Sequence, residues 1–405
     1  MIGDVIAGVN NGEYDIFDNS GNFILTLNDG TGGFTTGAFY DTTNNLLYTT
    51  NFTNTTIVVY DGLDPHNIVD TIPTGPDGGG QCESIVFDAN GDFYVGHALG
   101  DRDIKKYTAS GTFLATFNVA TENVGSDWID LAADQKTIYY TSEGRRVMRY
   151  DVAADAQLAD FALLPGGGNA FALRLLLPFD GSGGLIVADR SDIKRLDGAG
   201  NVVQTYDVAG EDNWFAMNLD PNGTSFWGGD FGTDNFYRFN IASGLVEVGP
   251  INTGGGGNLF GLAVVGEITG GQPQNNPPDC SGAVASQAEI WPPNHKFVDI
   301  TVEGVTDPDG DPVTITITSI TQDEPVNGSG DGNTCPDALI ATSTAMVRRE
   351  RAGTGDGRVY HVSFTASDGM GGECSGTVNV CVPHDQRPGH QCVDQGPLFD
   401  STTCP

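Results

Sequence analysis

A short phrase recurs six times between Phe17 and Phe239, each time an aromatic residue or Leu followed by Asp, Asn or Thr, at intervals of 43 to 47 residues. The copies are Phe17-Asp18, Tyr60-Asp61, Tyr107-Thr108, Tyr150-Asp151, Leu196-Asp197 and Phe239-Asn240. A period of this length, filled with short alternating strands, predicts a radial array of small sheets, because one such unit cannot bury both of its faces alone.

Each repeat reads as four strands. The first ends in Asp, as in residues 84–88, and a turn such as Asn90-Gly91 leads into the second, residues 93–96. Asn-Gly pairs supply the positive φ angles that tight hairpins need. The third strand carries the repeated phrase, and residues 113–119 exemplify the fourth. The repeat therefore predicts a four-stranded blade.

The two ends of the repeat region complement each other. Before the first complete repeat lie only a second, a third and a fourth strand, beginning at residues 5–9, and after the last lies only a first strand, residues 260–265. If the chain closes into a ring, these fragments form one blade and remove the exposed strand edges. We therefore predict an all-β protein with a six-bladed β-propeller, closed by its N- and C-terminal strands, and a C-terminal β-sandwich.

The repeats resemble a known family. Ser84-Ile85-Val86-Phe87-Asp88, followed by Asp92-Phe93-Tyr94-Val95-Gly96, is similar to NHL-type six-bladed β-propellers, and the similarity covers about residues 1–268. It implies the fold rather than the function, because the family includes binding scaffolds, sensors and enzymes. Residues 269–279 form a Gly/Pro/Asn linker.

A second domain is predicted over residues 280–384, where alternating strands are typical of a sandwich. Three segments resemble immunoglobulin-like or cadherin-like repeats of bacterial surface proteins: Trp291-Pro292-Pro293-Asn294-His295-Lys296, Asp307-Pro308-Asp309-Gly310-Asp311-Pro312 and Ala366-Ser367-Asp368-Gly369. The resemblance implies a spacer, adhesive or assembly role.

Cysteines cluster in the last third of the chain. Six of the seven follow residue 279, with no Cys-x-x-Cys or Cys/His ligand spacing: Cys280, Cys335, Cys374, Cys381, Cys392 and Cys404. This pattern predicts disulfides and an extracellular or cell-surface location. The seventh, Cys82, lies in the repeats and is read either as a buried apolar residue or as an intermolecular bridge.

Strand geometry limits the pairing. Cys374 and Cys381 flank a predicted strand, and seven extended residues span about 23 Å, beyond the roughly 7 Å allowed between bonded Cα atoms. We expect Cys280 and Cys335 to be their partners, in either order. Cys392 would then close a loop with Cys404 in the tail, residues 385–405.

The net charge is −35, from 53 acidic and 18 basic residues. Such a field repels nucleic acid and anionic lipid and favours cations or basic partners. No stretch approaches the roughly 20 apolar residues that span a bilayer. We therefore expect neither a nucleic-acid partner nor membrane insertion.

The strongest local signal for a ligand is Asp307-x-Asp309-x-Asp311, with Gly310 permitting a sharp turn. Three carboxylates at alternate positions can converge on one hard cation, and calcium accepts six to eight such oxygens. The cadherin-like resemblance places Asp368 near the same end. We predict Ca²⁺ as the cofactor; the alternative is an acidic turn without metal.

The mouth of the propeller channel is the expected place for any ligand. It is reached by the loops that enter each first strand and leave each second strand. Residues predicted there are Glu83, Asp127, Trp128, Glu143, Asp189, Arg190, Asp212, Trp214 and Asp230. Sugar-lactone hydrolases of related propellers hold a metal there with Glu, Asn and Asp, but no motif fixes which of these residues would meet. We assign no catalytic residue.

These observations predict an extracellular, non-catalytic surface, structural or adhesive protein that self-assembles into a filament or layer. Its partners would be other copies of itself or cell-surface and matrix components. The tail could dock on another copy. The alternatives are a metal-dependent hydrolase or polysaccharide lyase, and a carbohydrate-binding protein that stacks sugars on Trp128 and Trp214. Glycans are a further prediction from N-glycosylation triplets at Asn51, Asn54, Asn222 and Asn327.

Overall fold

The structure is a computed structural model that describes residues 1–62, 66–75, 80–254, 258–271, 276–369, 372–387 and 391–404. The chain forms two compact units, Met1–Gln274 and Asn275–Pro405. The division falls inside the segment predicted as a linker.

The described residues of the first unit form six antiparallel sheets, the blades of a β-propeller. Its strands are β1 (Val5–Gly8), β2 (Glu13–Phe17), β3 (Phe23–Asn28), β4 (Thr35–Asp41), β5 (Leu46–Asn51), β6 (Thr56–Asp61), β7 (Ile68–Pro73), β8 (Cys82–Phe87), β9 (Phe93–His97), β10 (Ile104–Tyr107), β11 (Phe113–Phe117), β12 (Ile129–Leu131), β13 (Thr137–Tyr140), β14 (Arg146–Asp151), β15 (Ala156–Gln157), β16 (Ala162–Leu163), β17 (Ala170–Leu175), β18 (Leu185–Asp189), β19 (Asp192–Leu196), β20 (Val202–Tyr206), β21 (Trp214–Leu219), β22 (Ser225–Asp230), β23 (Asn235–Asn240), β24 (Val246–Asn252) and β25 (Gly261–Val264).

Blade 1 consists of β25 and β1–β3, and confirms the predicted ring closure. In it Val5 pairs with Val264 and Ile6 with Ala263. Blades 2 to 6 are β4–β7, β8–β11, β12–β16, β17–β20 and β21–β24. The first strands of neighbouring blades contact each other all the way round. The ring therefore has no open end at which a blade could pair with another chain.

The repeated phrase has a double role in each blade. Its large apolar residue is buried between blades, for example Tyr60 and Phe239. Its polar residue shapes the next turn: the Asp197 carboxylate accepts hydrogen bonds from the backbone N–H groups of Ala199 (3.0 Å) and Asn201 (2.9 Å). The period thus reflects one core position and one turn position per blade.

Bulges interrupt the first strands of blades 2, 3, 5 and 6 close to their starts. A bulge inserts one unpaired residue and turns its side chain away from the blade. In blade 6, for example, Trp214 pairs with Asp230 and Ala216 with Gly229, which leaves Phe215 as the extra residue. These bulges lie at the end of the channel where each first strand begins, which we call the mouth.

Residues 267–271, called the strap, cross the face opposite the mouth. They follow the closing strand β25 and contact blades 6, 5, 4 and 3, and Thr269 is buried. The contacts are Glu267 Oε2 with Asn218 Nδ2 (2.8 Å), Glu267 Oε1 with Arg174 Nε (2.7 Å), Gly270 O with Gln135 Nε2 (2.7 Å), and Gly271 against the Phe87 carbonyl.

The second unit is a β-sandwich. Its strands are β26 (Val284–Ala285), β27 (Phe297–Ile300), β28 (Val302–Glu303), β29 (Thr314–Gln322), β30 (Ala338–Ala341), β31 (Thr344–Arg348), β32 (Arg358–Ser367), β33 (Glu373–Val382) and β34 (Phe399–Asp400). One sheet has the order β33-β32-β29-β34 and the other β27-β31-β30. Ile300, Val347, Tyr360 and Val380 are fully buried between them.

Three disulfides staple this unit: Cys280–Cys374, Cys335–Cys404 and Cys381–Cys392. The first agrees with one of the two pairings left open. The predicted Cys392–Cys404 loop is wrong, as is the pairing of Cys335 with Cys374 or Cys381. Cys82 is a free, buried cysteine.

Two of these disulfides fix the path of the tail, residues 385–405. It belongs to its own sandwich: β34 pairs with β29, and the Asp394 carboxylate lies 2.9 Å from His361 Nε2. The tail is thus held within its unit by these contacts, and its docking on another copy stays a prediction. The described part of the chain contains no helix long and apolar enough to cross a membrane.

Candidate functional site

The mouth of the propeller has two chemically different halves. Blades 5, 6, 1 and 2 contribute phenylalanine side chains, whereas blades 3 and 4 contribute carboxyl groups. Both halves arise where the chain enters a first strand or leaves a second strand.

The aromatic half is a continuous row of rings that we call the phenylalanine arc: Phe34, Phe171, Phe215, Phe231 and Phe260. Neighbouring centroids are 4.7 Å apart for Phe171 and Phe215, 6.1 Å for Phe215 and Phe231, 5.1 Å for Phe231 and Phe260, and 4.6 Å for Phe260 and Phe34. Phe34 is 40% exposed and the other four are partly exposed. Contiguous exposed aromatic surface is typical of a binding site.

The acidic half is centred on Glu83, the bulged residue of β8, and Asp127, which precedes β12. The Glu83 side chain is almost fully buried and Asp127 is completely so, and apart from Glu83 no hydrogen-bond donor faces the Asp127 oxygens among the described residues. Burial, and then the charge of Asp127, raises the pKa of Glu83 well above its usual range. Burial also raises the pKa of Asp127 to about 7. The two carboxyls can hydrogen-bond to each other only when they share a proton, and the raised pKa values of both favour this protonated pair.

Glu143 completes this half from the loop after β13. Its backbone has a positive φ of 48°, and its side chain is close enough to Glu83 and Asp127 to raise the pKa of both. Partial burial raises the pKa of Glu143 itself. The structure therefore brings together three of the sequence-predicted mouth residues.

The other predicted carboxylates do not join them. Asp189 is buried and its Oδ2 lies 2.7 Å from Lys194 Nζ. Asp230 is fully buried and accepts backbone N–H bonds from Asn213 (2.6 Å) and Gly232 (2.7 Å), so it shapes its loop. Asp212 and Arg190 are exposed.

The prediction that Trp128 and Trp214 stack on sugars is wrong. Their side chains are 1% and 0% exposed, and Trp214 packs on Tyr237 and Phe239. The bulge explains the error: it directs Trp214 into the blade and leaves the next residue, Phe215, at the mouth. A bulge has no sequence signal of its own here, so the arc was missed, although Phe follows directly after Ala170, Trp214 and Leu259.

The acidic loop lies in the second unit. One oxygen from each of Asp307, Asp309 and Asp311 lies within 4.8 Å of the others. The Asp307 Oδ1 atom accepts backbone N–H bonds from Asp309 (2.8 Å) and Asp311 (3.2 Å), and its buried Oδ2 has no donor among the described residues. Partial desolvation and the charges of Asp307, Asp309 and Asp368 raise the pKa of Asp311. All four predicted carboxylates are therefore close in space.

The glycosylation triplets differ in access. Asn51 is buried and its amide donates to Asp29 at 2.6 Å, which leaves no room for a glycan in the folded protein. Asn54, Asn222 and Asn327 are exposed.

No protein-family model and no curated protein matches the chain. Among solved structures it is similar to a chain of the crystal structure of a nidogen/laminin complex, with a TM-score of 0.55 and 14% identity. The match covers 65% of this chain and 98% of that one. At this identity the likeness concerns the fold alone, and by it the first unit is an all-β propeller.

Proposed function

We propose that the chain is an extracellular, non-catalytic surface or adhesive protein whose propeller binds a partner and whose sandwich spaces or joins it to neighbours. The observation that carries the proposal is the phenylalanine arc, because a row of partly exposed rings can bind but supplies no acid, base or nucleophile. Three disulfides support an oxidising compartment. The proposal includes an NHL-type propeller and an immunoglobulin/cadherin-like sandwich.

The similar structure is titled as a complex of nidogen with laminin. Complex formation there is a property of those proteins, and it supports a protein partner for this chain only by analogy of fold. Self-assembly into a filament or layer is an extension of the proposal.

An adhesion assay with parallel turnover assays tests the proposal. Beads coated with the protein should adhere to immobilised extracellular proteins or to other copies, while lactones and polysaccharides remain uncleaved with Ca²⁺, Mg²⁺ or Zn²⁺ present. The enzyme alternative would rest on the Glu83–Asp127 pair. Turnover that disappears in Glu83→Gln would refute the non-catalytic role.

We also propose that Ca²⁺ binds at Asp307, Asp309, Asp311 and Asp368. All the candidate ligand atoms are carboxylate oxygens, and one of them, Asp307 Oδ2, is buried without a hydrogen-bond donor among the described residues. Gly310 has the positive φ of 88° that the sharp turn requires. Calcium prefers such ligands. When bound it would neutralise mutually repelling carboxylates and stiffen the loop.

This proposal predicts that millimolar Ca²⁺ raises the free energy of unfolding of the sandwich by on the order of 2–3 kcal/mol at a hundredfold excess over Kd, and so raises its melting temperature. Asp309→Asn should abolish most of the increase. The control is Asp299→Asn, an exposed strand carboxylate outside the cluster. Calorimetry measures the calcium-dependent shift in melting temperature of each variant. An equal shift in the two variants would show that the loop is an acidic turn without metal.

A further inference from the structure

The mouth combines two features that one ligand would have to satisfy together. The phenylalanine arc offers apolar surface, and the acidic half offers carboxyl oxygens with no cation among the described residues near enough to pair with them. An aliphatic ligand would leave the carboxyls unsatisfied, and a simple cation would leave the arc exposed.

We propose that the mouth binds a segment of a protein partner in which a Lys or Arg lies next to an apolar side chain. The cation pairs with the partly exposed Glu143, next to the buried Glu83–Asp127 pair, while the apolar neighbour packs on the phenylalanine arc. This names the partner class of the site and therefore rests on the proposed binding function.

Charge complementarity supports a basic segment. The chain carries a net charge of −35, so its field steers cationic partners towards it. At the mouth the groups that face Glu83 are Asp127, Glu143 and Cys82. Burial raises the pKa of the Cys82 thiol to about 12, so it stays neutral and the local charge is negative.

The polar inventory disfavours a sugar. A carbohydrate needs donors and acceptors for its hydroxyl groups, but Asp230 accepts backbone N–H groups, and Asp189 is buried with one oxygen paired with Lys194. The arc consists of phenylalanine alone, and the indole rings are buried. A protein side chain fits this surface better than a sugar ring does.

Binding should release a proton. A cation beside the pair stabilises the ionised form of both carboxyls, so the pair gives up the proton that it shares in the free protein. Titration calorimetry in buffers of different ionisation enthalpy should therefore show about one proton released per segment bound at pH 7.

The experiment is selection from a library of random 12-residue peptides on the full-length protein, with Phe215→Ala as the counter-selection. We expect enriched peptides to contain Lys or Arg beside an apolar residue. Their affinity should fall roughly tenfold in Phe215→Ala and in Phe34→Ala, as at a binding hot spot, and proton release should vanish in Glu83→Gln.

Phe113→Ala is the matched control, since Phe113 is an exposed phenylalanine on the outer strand of blade 3; its affinity should stay within twofold of the wild type. Phe34 is the most exposed ring of the arc, so its variant separates lost binding from lost folding. No enrichment over the counter-selection, enriched peptides without basic residues, or an equal loss in Phe113→Ala would overturn the proposal. Binding of neutral oligosaccharides at the arc would do so as well.

The peptide-library selection measures binding at the mouth without relying on enzymatic turnover or on the adhesion assay. If enzymatic turnover were found, the proposed function would fail while the peptide result would still decide what the mouth binds. If only the selection failed, the binding function could rest on another surface.

Discussion

At the scale of single residues, the Glu83–Asp127 pair is the most unusual feature of the propeller. Two buried carboxyls in contact are ordinarily avoided, because each disfavours the ionised form of the other. Here burial and mutual repulsion both raise the pKa values of the pair, and one shared proton removes the repulsion between the two carboxylates. The pair is therefore tolerated in the fold at the expense of stability at alkaline pH.

This predicts a pH-dependent effect of Glu83→Gln. The folded pKa of each carboxyl is raised above its unfolded value of about 4; hence the folded state is favoured below that value, and stability falls as pH rises through about 7, the pKa of Asp127. The neutral amide can donate to Asp127 and removes the conflict. We expect the variant to be more stable than wild type at pH 8, by about 1–3 kcal/mol, and equal to it near pH 4.

Calorimetric melting at the two pH values measures this effect. Asp70→Asn, at an exposed position of an outer strand, should leave the difference between the pH values unchanged. A variant that melts below wild type at pH 8 would show that Glu83 is held by favourable contacts instead.

Many other carboxylates accept hydrogen bonds from residues a few positions further along their own turn. Asp18 and Asp197 are partly exposed, and hydrogen bonds from Asn22 and Asn201 lower the pKa of each carboxyl. Such turns lose support only as pH falls through these lowered values. Part of the acidity is thus structural, because a carboxylate supports several of the tight turns.

At the scale of elements, the repeat predicted the strands and their pairing because each blade repeats a buried aromatic residue or Leu and the turn that follows it. The bulges were not predictable, since Cys82-Glu83-Ser84 and Trp214-Phe215-Ala216 read as ordinary alternation. A shift of one residue exchanges the two faces of a strand. The sequence therefore identified the correct loops at the mouth. In blade 6, however, it pointed to Trp214, whereas Phe215 lies at the mouth.

The strap is a second element outside the repeat. Its Glu267 side chain is 4% exposed and that of Arg174 7%, so their ion pair is buried, whereas the Arg238–Glu247 pair on the outer strands of blade 6 is 19% and 30% exposed. Removing one member of a buried pair leaves an uncompensated charge.

We therefore predict that Glu267→Gln destabilises the propeller by about 3 kcal/mol, while Glu247→Gln costs about 1 kcal/mol or less. The midpoint of the propeller's thermal transition compares the two variants directly. Similar shifts for both would mean that Arg174 finds enough compensation from Asp130, and that the strap is held mainly by its backbone contacts.

At the scale of the whole molecule, stability is organised differently in the two units. The propeller closes by hydrogen bonds between its first and last strands, and its one cysteine is free. The sandwich has three disulfides. Their presence could be predicted from cysteine number, but not their pairing, because the path of the tail over the sheet decides which sulfurs meet.

Reduction should therefore separate the two units. A disulfide of this kind contributes about 2–4 kcal/mol, so a reducing agent should lower the melting temperature of one calorimetric transition by many degrees and leave the other in place. Native alkylation should leave Cys82 unlabelled, because it is fully buried. A parallel decrease in both transitions would contradict independent stabilisation.

The path of the strap also determines how the propeller would bear mechanical load. A pull on the chain beyond residue 271 acts first on the contacts of Gly271 and Gly270 with blades 3 and 4, on the far side of the ring from the closing strand β25. Tension would have to extract these contacts and the Glu267 ion pair in sequence before it could unzip β25 from β1. The seam of the ring is thereby shielded from tethering forces, which suits a protein anchored through its C-terminal half.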